Sequence, residues 1–346
     1  MKILLRGAFT IFTGYGNAVM NFASELMKGV DLNIWPTGAS AGLPTEILSL
    51  FAKPIPKRSD IFLDFVDPGT IFGRLGDTYS VLFTMWESTK LTTTAKRDLL
   101  QSYDLIIVPN SMNQKVFAEE VGEEKVKVVP LCIDADFYEF RKREPHEQIR
   151  FCAAGNLTTR KGVELIIDAY EHLKKEENIN ASLSLRPTGP GLHPQWQEII
   201  PDFHIYNGVW SREELRNFYY NMDVMLCPNR GEGFNLPAVE FLCSGGTVIA
   251  SSWGGHQAWM SDAFAYPLDY KVEKIGHKWL QEIHPDAEWI EPNFEHLKQR
   301  MREVCNNREE LVQKMLNARI VAQQFNKQRI TKQLMEVLVN GYESGT

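Results

Sequence analysis

The chain has 346 residues, of which 44% are hydrophobic and 23% charged, the make-up of an ordinary globular protein large enough for two domains. Its net charge of −7 offers no general electrostatic attraction to nucleic acid or to an anionic membrane. No apolar run approaches the ~20 residues needed to span a bilayer, and no charged segment followed by an apolar one opens the chain as a secretion signal.

Lys2 to Arg6 is a short apolar run that reads as a strand. It enters the loop Gly7 to Gly16, with Gly14 and Gly16 near its end, and Asn17 to Lys28 then has helical spacing. A strand, a Gly-containing loop and a helix make a phosphate-approach loop or simply a tight turn, and the spacing is not that of a dinucleotide fingerprint. Strand-like runs recur at Asp31 to Trp35, Ile61 to Phe65, Tyr79 to Thr84, Leu105 to Val108 and Val126 to Val129. Helical patterns near Thr94 to Gln101 and Asn113 to Val121 separate the later ones, an alternation that specifies a doubly wound parallel sheet. Thr84-Met-Trp-Glu-Ser88 follows one of these strands, which puts Trp86 and Glu87 at a carboxyl end, where ligands bind in open α/β sheets.

Asp136 to Gln148 is charged, contains a proline and lacks apolar periodicity, so it reads as an exposed linker. A fresh strand, Ile149 to Ala154, leads into Gly155 to Gly162 and a helix from Val163 to Lys174. Arg160 and Lys161 stand at the start of that helix, where its N–H groups already favour an anion and a guanidinium adds a second grip. Ser182 to Arg186 and Phe203 to Tyr206 are further strands, and Ser211-Arg-Glu-Glu214 is a capping-box start for the helix Glu213 to Tyr220.

The most informative stretch is Asn229-Arg-Gly-Glu-Gly-Phe-Asn-Leu-Pro-Ala-Val-Glu240. It lies after a buried strand, Val224 to Cys227, and before the strand Thr247 to Ala250, with a helix from about Leu236. Glu232 in the loop and Glu240 in the helix have Gly-Phe-Asn-Leu-Pro between them. A carboxylate aimed at vicinal hydroxyls, beside backbone N–H groups aimed at phosphate, suits a nucleotide sugar. After it come His256, a mixed stretch from Tyr270 to Pro292 with Trp279 and Trp289 and no evident role, and helices near Phe294 to Val304, Glu309 to Gln323 and Asn326 to Leu338. The cysteines Cys132, Cys152, Cys227, Cys243 and Cys305 form no C-x-x-C pair, so a reduced, cytoplasmic setting is expected. No zinc, EF-hand or Asp-x-Asp metal signature, nucleophile elbow or fixed-period repeat is evident.

Glu232 and Glu240, with the Gly-Phe-Asn-Leu-Pro string and the Gly245-Gly246 and Gly254-Gly255 turns, resemble the E-x7-E motif of retaining nucleotide-sugar glycosyltransferases of the family-4 type. The resemblance is strong from about Ile149 to Gly255 and looser before it. It implies the α/β GT-B fold, with two Rossmann-like doubly wound domains facing a cleft. Residues 1–139 would form the acceptor-side domain, 140–148 a linker, 149–324 the donor-side domain, and 325–346 a helix crossing back to the first.

The resemblance further implies transfer of a sugar from a nucleotide-diphosphate donor to an acceptor hydroxyl, with no cofactor and no required metal. Arg160 and Lys161 would bind the diphosphate, Glu232 with the backbone of Gly233, Phe234, Asn235 and Leu236 the sugar, and Glu240 the ribose. Gly14 and Gly16 would lie near the donor phosphates, Arg186 and Val209 by the base, and Glu87 by the donor sugar or acceptor. Where many relatives of that family have a histidine near the Trp86-Glu87 strand end, this chain has none. A modified DNA base as acceptor is disfavoured by the net charge, and a nucleotide-sugar epimerase or hydrolase, or a non-catalytic binding protein, is a further alternative.

Overall fold

The computed structural model describes residues 1–91, 97–188, 199–276 and 284–345. The chain divides into two units: Met1–Asp134 with Leu280–Ala287 and Phe325–Thr346, and Ala135–Trp279 with Glu288–Gln324.

In the first unit, strands β1 (Lys2–Gly7), β2 (Asp31–Pro36), β3 (Ile61–Phe65), β4 (Tyr79–Phe83), β5 (Leu105–Val108) and β6 (Val126–Val128) form a parallel sheet in the order β2-β1-β3-β4-β5-β6. The central strands β3 and β5 are buried at every position, as near-continuous apolar runs covered on both faces must be. Helices α1 (Gly14–Leu26), α2 (Thr45–Phe51), α3 (Arg97–Ser102) and α4 (Ser111–Val121) cross between them. Part of the helix expected from Thr94, residues 94–96, lies outside the described residues.

The second unit repeats the pattern with β7 (Ile149–Gly155), β8 (Ala181–Pro187), β9 (Phe203–Ile205), β10 (Val224–Cys227), β11 (Thr247–Ser251) and β12 (Ala265–Leu268), all parallel, in the order β12-β11-β10-β7-β8-β9. Its helices include α5 (Val163–Glu176), α6 (Arg212–Tyr220) and α7 (Leu236–Cys243). The capping box at α6 forms as the spacing predicts: Glu214 N–H donates to Ser211 Oγ at 3.2 Å and Ser211 N–H to Glu214 Oε2 at 2.7 Å, a cap whose loss typically costs about 1 kcal/mol. Strand order reverses between β7 and β10, and the crevice at the carboxyl ends of such a pair is where open α/β sheets hold ligands.

Residues 140–148 are tied down rather than loose. Arg143 donates to the carbonyls of Tyr219 (2.7 Å) and Gly245 (3.3 Å), and His146 bonds the fully buried Asp223. The stretch from Tyr270 to Pro292 includes an antiparallel pair, β13 (Tyr270–Lys274) with β14 (Glu288–Pro292); Trp279 lies outside the described residues. The helix expected over Glu309 to Gln323 is two helices, α9 (Arg308–Asn317) and α10 (Arg319–Phe325), which follow α8 (Phe294–Asn306). The final helix α11 (Lys327–Gly345) packs on α1 within the first unit. Its start is fixed there by Ile133 N–H to Phe325 O (2.8 Å), Lys327 N–H to Ile133 O (3.0 Å) and the Lys327–Asp134 ion pair at 3.0 Å.

Among the described residues no helix is long and apolar enough to cross a membrane.

Candidate active site

Two loops meet at the crevice between β7 and β10. The one after β7 turns at Thr159–Lys161, a single 3-10 turn, so Arg160 and Lys161 precede α5 instead of forming its first turn. Gly162 separates them from the helix in a left-handed conformation (φ 68°), and a Cβ there would lie 2.3 Å from Pro228 O. Only glycine lets the two loops approach this closely. The loop after β10 carries Asn229 to Asn235 and ends in α7.

The loops are stitched by backbone and side chain alike. Arg230 N–H donates to Arg160 O at 2.8 Å, and Arg160 Nη1 donates to Gly231 O at 2.7 Å. Three nitrogens converge on one oxygen, Glu232 Oε2: Lys161 Nζ at 2.5 Å, Asn229 Nδ2 at 2.9 Å and Arg160 Nη1 at 3.3 Å. Burial by itself would raise the Glu232 carboxyl, but the Lys161 ammonium and the Arg160 guanidinium outweigh it and hold the group at about 2. Glu232 is therefore ionised at any ordinary pH.

Beneath this cluster lies His256, fully buried. Its Nδ1 is 2.7 Å from Ser251 O, which can only accept, so the proton sits on Nδ1. Nε2 is then the acceptor for Asn235 Nδ2 at 2.9 Å, and Asn235 Oδ1 accepts from Lys161 Nζ at 3.4 Å. Asn235, itself left-handed at φ 68°, enters α7 with its side chain turned to these partners and not to a cap. Burial lowers His256 from 6.5 to about 4, which agrees with a neutral ring. It orients Asn235 and touches no solvent. Because the folded value is depressed, the stability it contributes is fully present above about pH 6.5 and is lost as pH falls toward 4. At about 1.4 kcal/mol per pH unit this amounts to about 3 kcal/mol. The stability of His256→Gln is expected to change less steeply with pH between 6.5 and 4 than that of the wild type; equal slopes would contradict the neutral buried ring.

Gly233 and Phe234 lie in the same loop, and Leu236 is the first residue of α7. Phe234 is buried, with its carbonyl accepting from Trp259 Nε1 at 2.7 Å, and a Cβ on Gly255 would sit 2.3 Å from Gly233 C. Glu240, one turn along α7, belongs to a different set of contacts. It is 3% exposed and accepts from Tyr219 OH at 3.4 Å, while burial, then the Glu240 charge, pushes the hydroxyls of Tyr138 and Tyr219 well above their ordinary range. Arg186, at the end of β8, is buried with its guanidinium over the Trp210 ring at 4.6 Å; Val209 beside it is 77% exposed. Trp210 also packs edge-on against Phe218, so its ring supports Arg186 from below.

In the first unit Gly16, Trp86 and Glu87 have these surroundings. Helix α1 begins at Gly14, so Gly16 is inside it; the Gly16 N–H is taken by the capping Thr13 Oγ1 at 3.0 Å and is not offered to a phosphate. Gly16 is required for another reason, since a Cβ would meet Thr10 O at 2.1 Å. Trp86 does not present its ring to a ligand. It packs against the core cluster that contains Leu82 and Phe117, its indole N–H donates to Lys90 O (2.6 Å) and Ser88 Oγ (2.8 Å), and its backbone is clasped by Asn113. Glu87 is half-buried near Tyr15, whose hydroxyl is raised first by burial and then by that carboxylate.

The residue that sequence reasoning missed is Arg230. It is 6% exposed and grips Glu291 on β14 through both ends of its fork, Nε to Oε2 at 2.6 Å and Nη2 to Oε1 at 2.7 Å, while Nη1 meets Glu164 and the Thr159 carbonyl. Its partners are far away in sequence, and only its place beside Gly231-Glu232 could have drawn attention to it. Among the described residues, no group of three or more His, Cys, Asp or Glu side chains could hold a metal ion, and all five cysteines are free.

Two doubly wound parallel α/β units are the architecture of the GT-B class. Solved structures agree on the fold: Anabaena HepE in complex with UDP-glucose superposes with a TM-score of 0.68 at 13% identity, covering 98% of this chain and 100% of that one. Sucrose-phosphate synthase from Thermosynechococcus elongatus does so at 0.66 and 13%, covering 99% and 100%. Residues 148–269, which hold Arg160, Lys161, Arg186, Glu232, Glu240 and His256, match the family Glycosyl transferases group 1. The chain is 30% identical over 163 residues to the MMP alpha-(1->4)-mannosyltransferase of Mycolicibacterium hassiacum, a match covering 46% of this chain and 39% of that protein. It is 25% identical over 182 residues to the lipopolysaccharide 1,2-N-acetylglucosaminetransferase of Salmonella typhimurium, covering 45% and 46%. The matched stretches thus span less than half of either relative.

Proposed function

We propose that the protein is a retaining glycosyltransferase that moves a sugar from a nucleotide-diphosphate donor to an acceptor hydroxyl without a required metal. The observation that carries this reading is the convergence of Arg160, Lys161 and Glu232 at the β7–β10 crevice, on a segment of the Glycosyl transferases group 1 family. The names of the two curated relatives, both sugar transferases, support it.

In this reading the donor diphosphate takes over the two cations that Glu232 now neutralises. The contacts on Glu232 converge on Oε2, leaving Oε1 to accept from a sugar hydroxyl. Glu240 accepts from the ribose, and Arg186 with Val209 borders the base. The glycosidic C–O bond breaks, its electron pair goes to the diphosphate oxygen, and the acceptor oxygen bonds the anomeric carbon from the same face. The leaving phosphate receives the acceptor proton, so no protein nucleophile is required. Two fixed cations at the departing oxygens lower the barrier because they are already oriented before charge develops.

Donor turnover in the absence of chelatable metal, followed by NMR of the first-formed sugar product, tests this. An anomer matching the donor is expected; the inverted anomer would overturn retention, and absence of turnover without magnesium would overturn metal independence.

A further inference from the structure

Arg230 and the β13–β14 hairpin have no part in the chemistry just described, yet the cation turn hangs from them. We propose that Arg230 and Glu291 are positioning residues: the hairpin strand β14, through the Glu291–Arg230 fork, fixes the Thr159–Lys161 turn and so sets where Arg160 stands toward a diphosphate. This inference rests on the reading of Arg160 as a diphosphate ligand.

The geometry leaves Arg230 little other purpose. The side chain reaches no ligand position of its own, since every guanidinium nitrogen has a protein partner: Nε and Nη2 on the two oxygens of Glu291, Nη1 on Glu164 and on Thr159 O. Its backbone extends the link in both directions, with N–H to Arg160 O at 2.8 Å and Ile290 N–H to its own carbonyl at 3.1 Å. Three elements, β14, the loop after β10 and the turn after β7, are thereby joined through one residue. A bidentate guanidinium–carboxylate pair fixes direction as well as distance, which a lysine in its place would not do. Both oxygens of the Glu291 carboxylate are bonded to Arg230, so its removal acts on the site through Arg230.

Affinity for nucleoside diphosphate, measured by calorimetry, gives the test in a double-mutant cycle. The probe is whichever of UDP, GDP and ADP stabilises the wild type most. Glu291→Ala is expected to weaken its binding about tenfold in the wild-type background and less than about twofold when Arg160 is already alanine, because the brace then has nothing to position. Glu291→Gln, which keeps the shape and loses the charge, should fall between, as should Arg230→Lys, and both serve where the alanine variant folds poorly. A purely structural role would lower the melting temperature without this non-additivity. Unchanged affinity for Glu291→Ala, or equal weakening in both backgrounds, would overturn the proposal. A wild type that binds none of the three nucleotides would instead remove the donor reading and this inference with it.

Discussion

Arg160→Ala is expected to lower turnover by about 100- to 1000-fold, the range found when one preorganised donor to a developing negative charge is removed. The side chain is partly exposed and bonds Gly231 O and Glu232, so its stability cost is about 1–2 kcal/mol. The gap between the two effects identifies a residue that acts in function and not chiefly in folding. Steady-state kinetics should show the loss in both KM and kcat, since Arg160 grips the diphosphate before as well as while its charge develops. Near-normal turnover would take Arg160 out of the mechanism, and a loss of folding in proportion to activity would make it a structural residue.

Glu232→Gln has the opposite signature. The ligand-free protein loses the only carboxylate seen, among the described residues, to pair with both Lys161 and Arg160. Lys161, about 10% exposed at its side chain, then stays buried without a counter-charge. Removing one partner of such a pair typically costs about 3–5 kcal/mol. An added anion replaces the missing charge, so inorganic pyrophosphate should stabilise the variant more than it stabilises the wild type. Denaturant unfolding with and without pyrophosphate measures both quantities. A variant as stable as the wild type would mean that Glu232 is not what neutralises the two cations.

Much of the second unit was legible because its central strands are short apolar runs that end in turn residues such as Gly155 and Pro228. Val224–Cys227 coincides with its expected limits, and the glycine-punctuated Asn229–Asn235 loop follows it. Short or mixed elements were not legible. Helix α2 is seven residues long, too short for a helical period to declare itself, and β13 is mostly exposed, without the alternation that marks a half-buried strand.

The site was legible in its charges and less so in its connections. Glu232 and the basic pair stand out in sequence, but the Arg230–Glu291 fork joins residues 61 apart, and the Trp86–Asn113 clasp joins residues 27 apart. Such long-range hydrogen bonds leave no local pattern. The fate of Gly16 shows the converse: a glycine in a phosphate-loop context is explained here by a backbone contact with Thr10. His256, a lone loop histidine in sequence, becomes interpretable only once Ser251 O is seen to fix its tautomer.

Whether the β7–β10 crevice of the second unit is a nucleotide-sugar site is tested most directly by thermal melting against a panel of nucleotide sugars and bare nucleoside diphosphates, without metal and then with magnesium. A donor present at a hundred times its dissociation constant stabilises by about 2.7 kcal/mol, so the expected result is a clear upward shift with one donor in the absence of metal, abolished in Glu240→Ala. No shift with any member of the panel, or a shift that Glu240→Ala leaves intact, would contradict it.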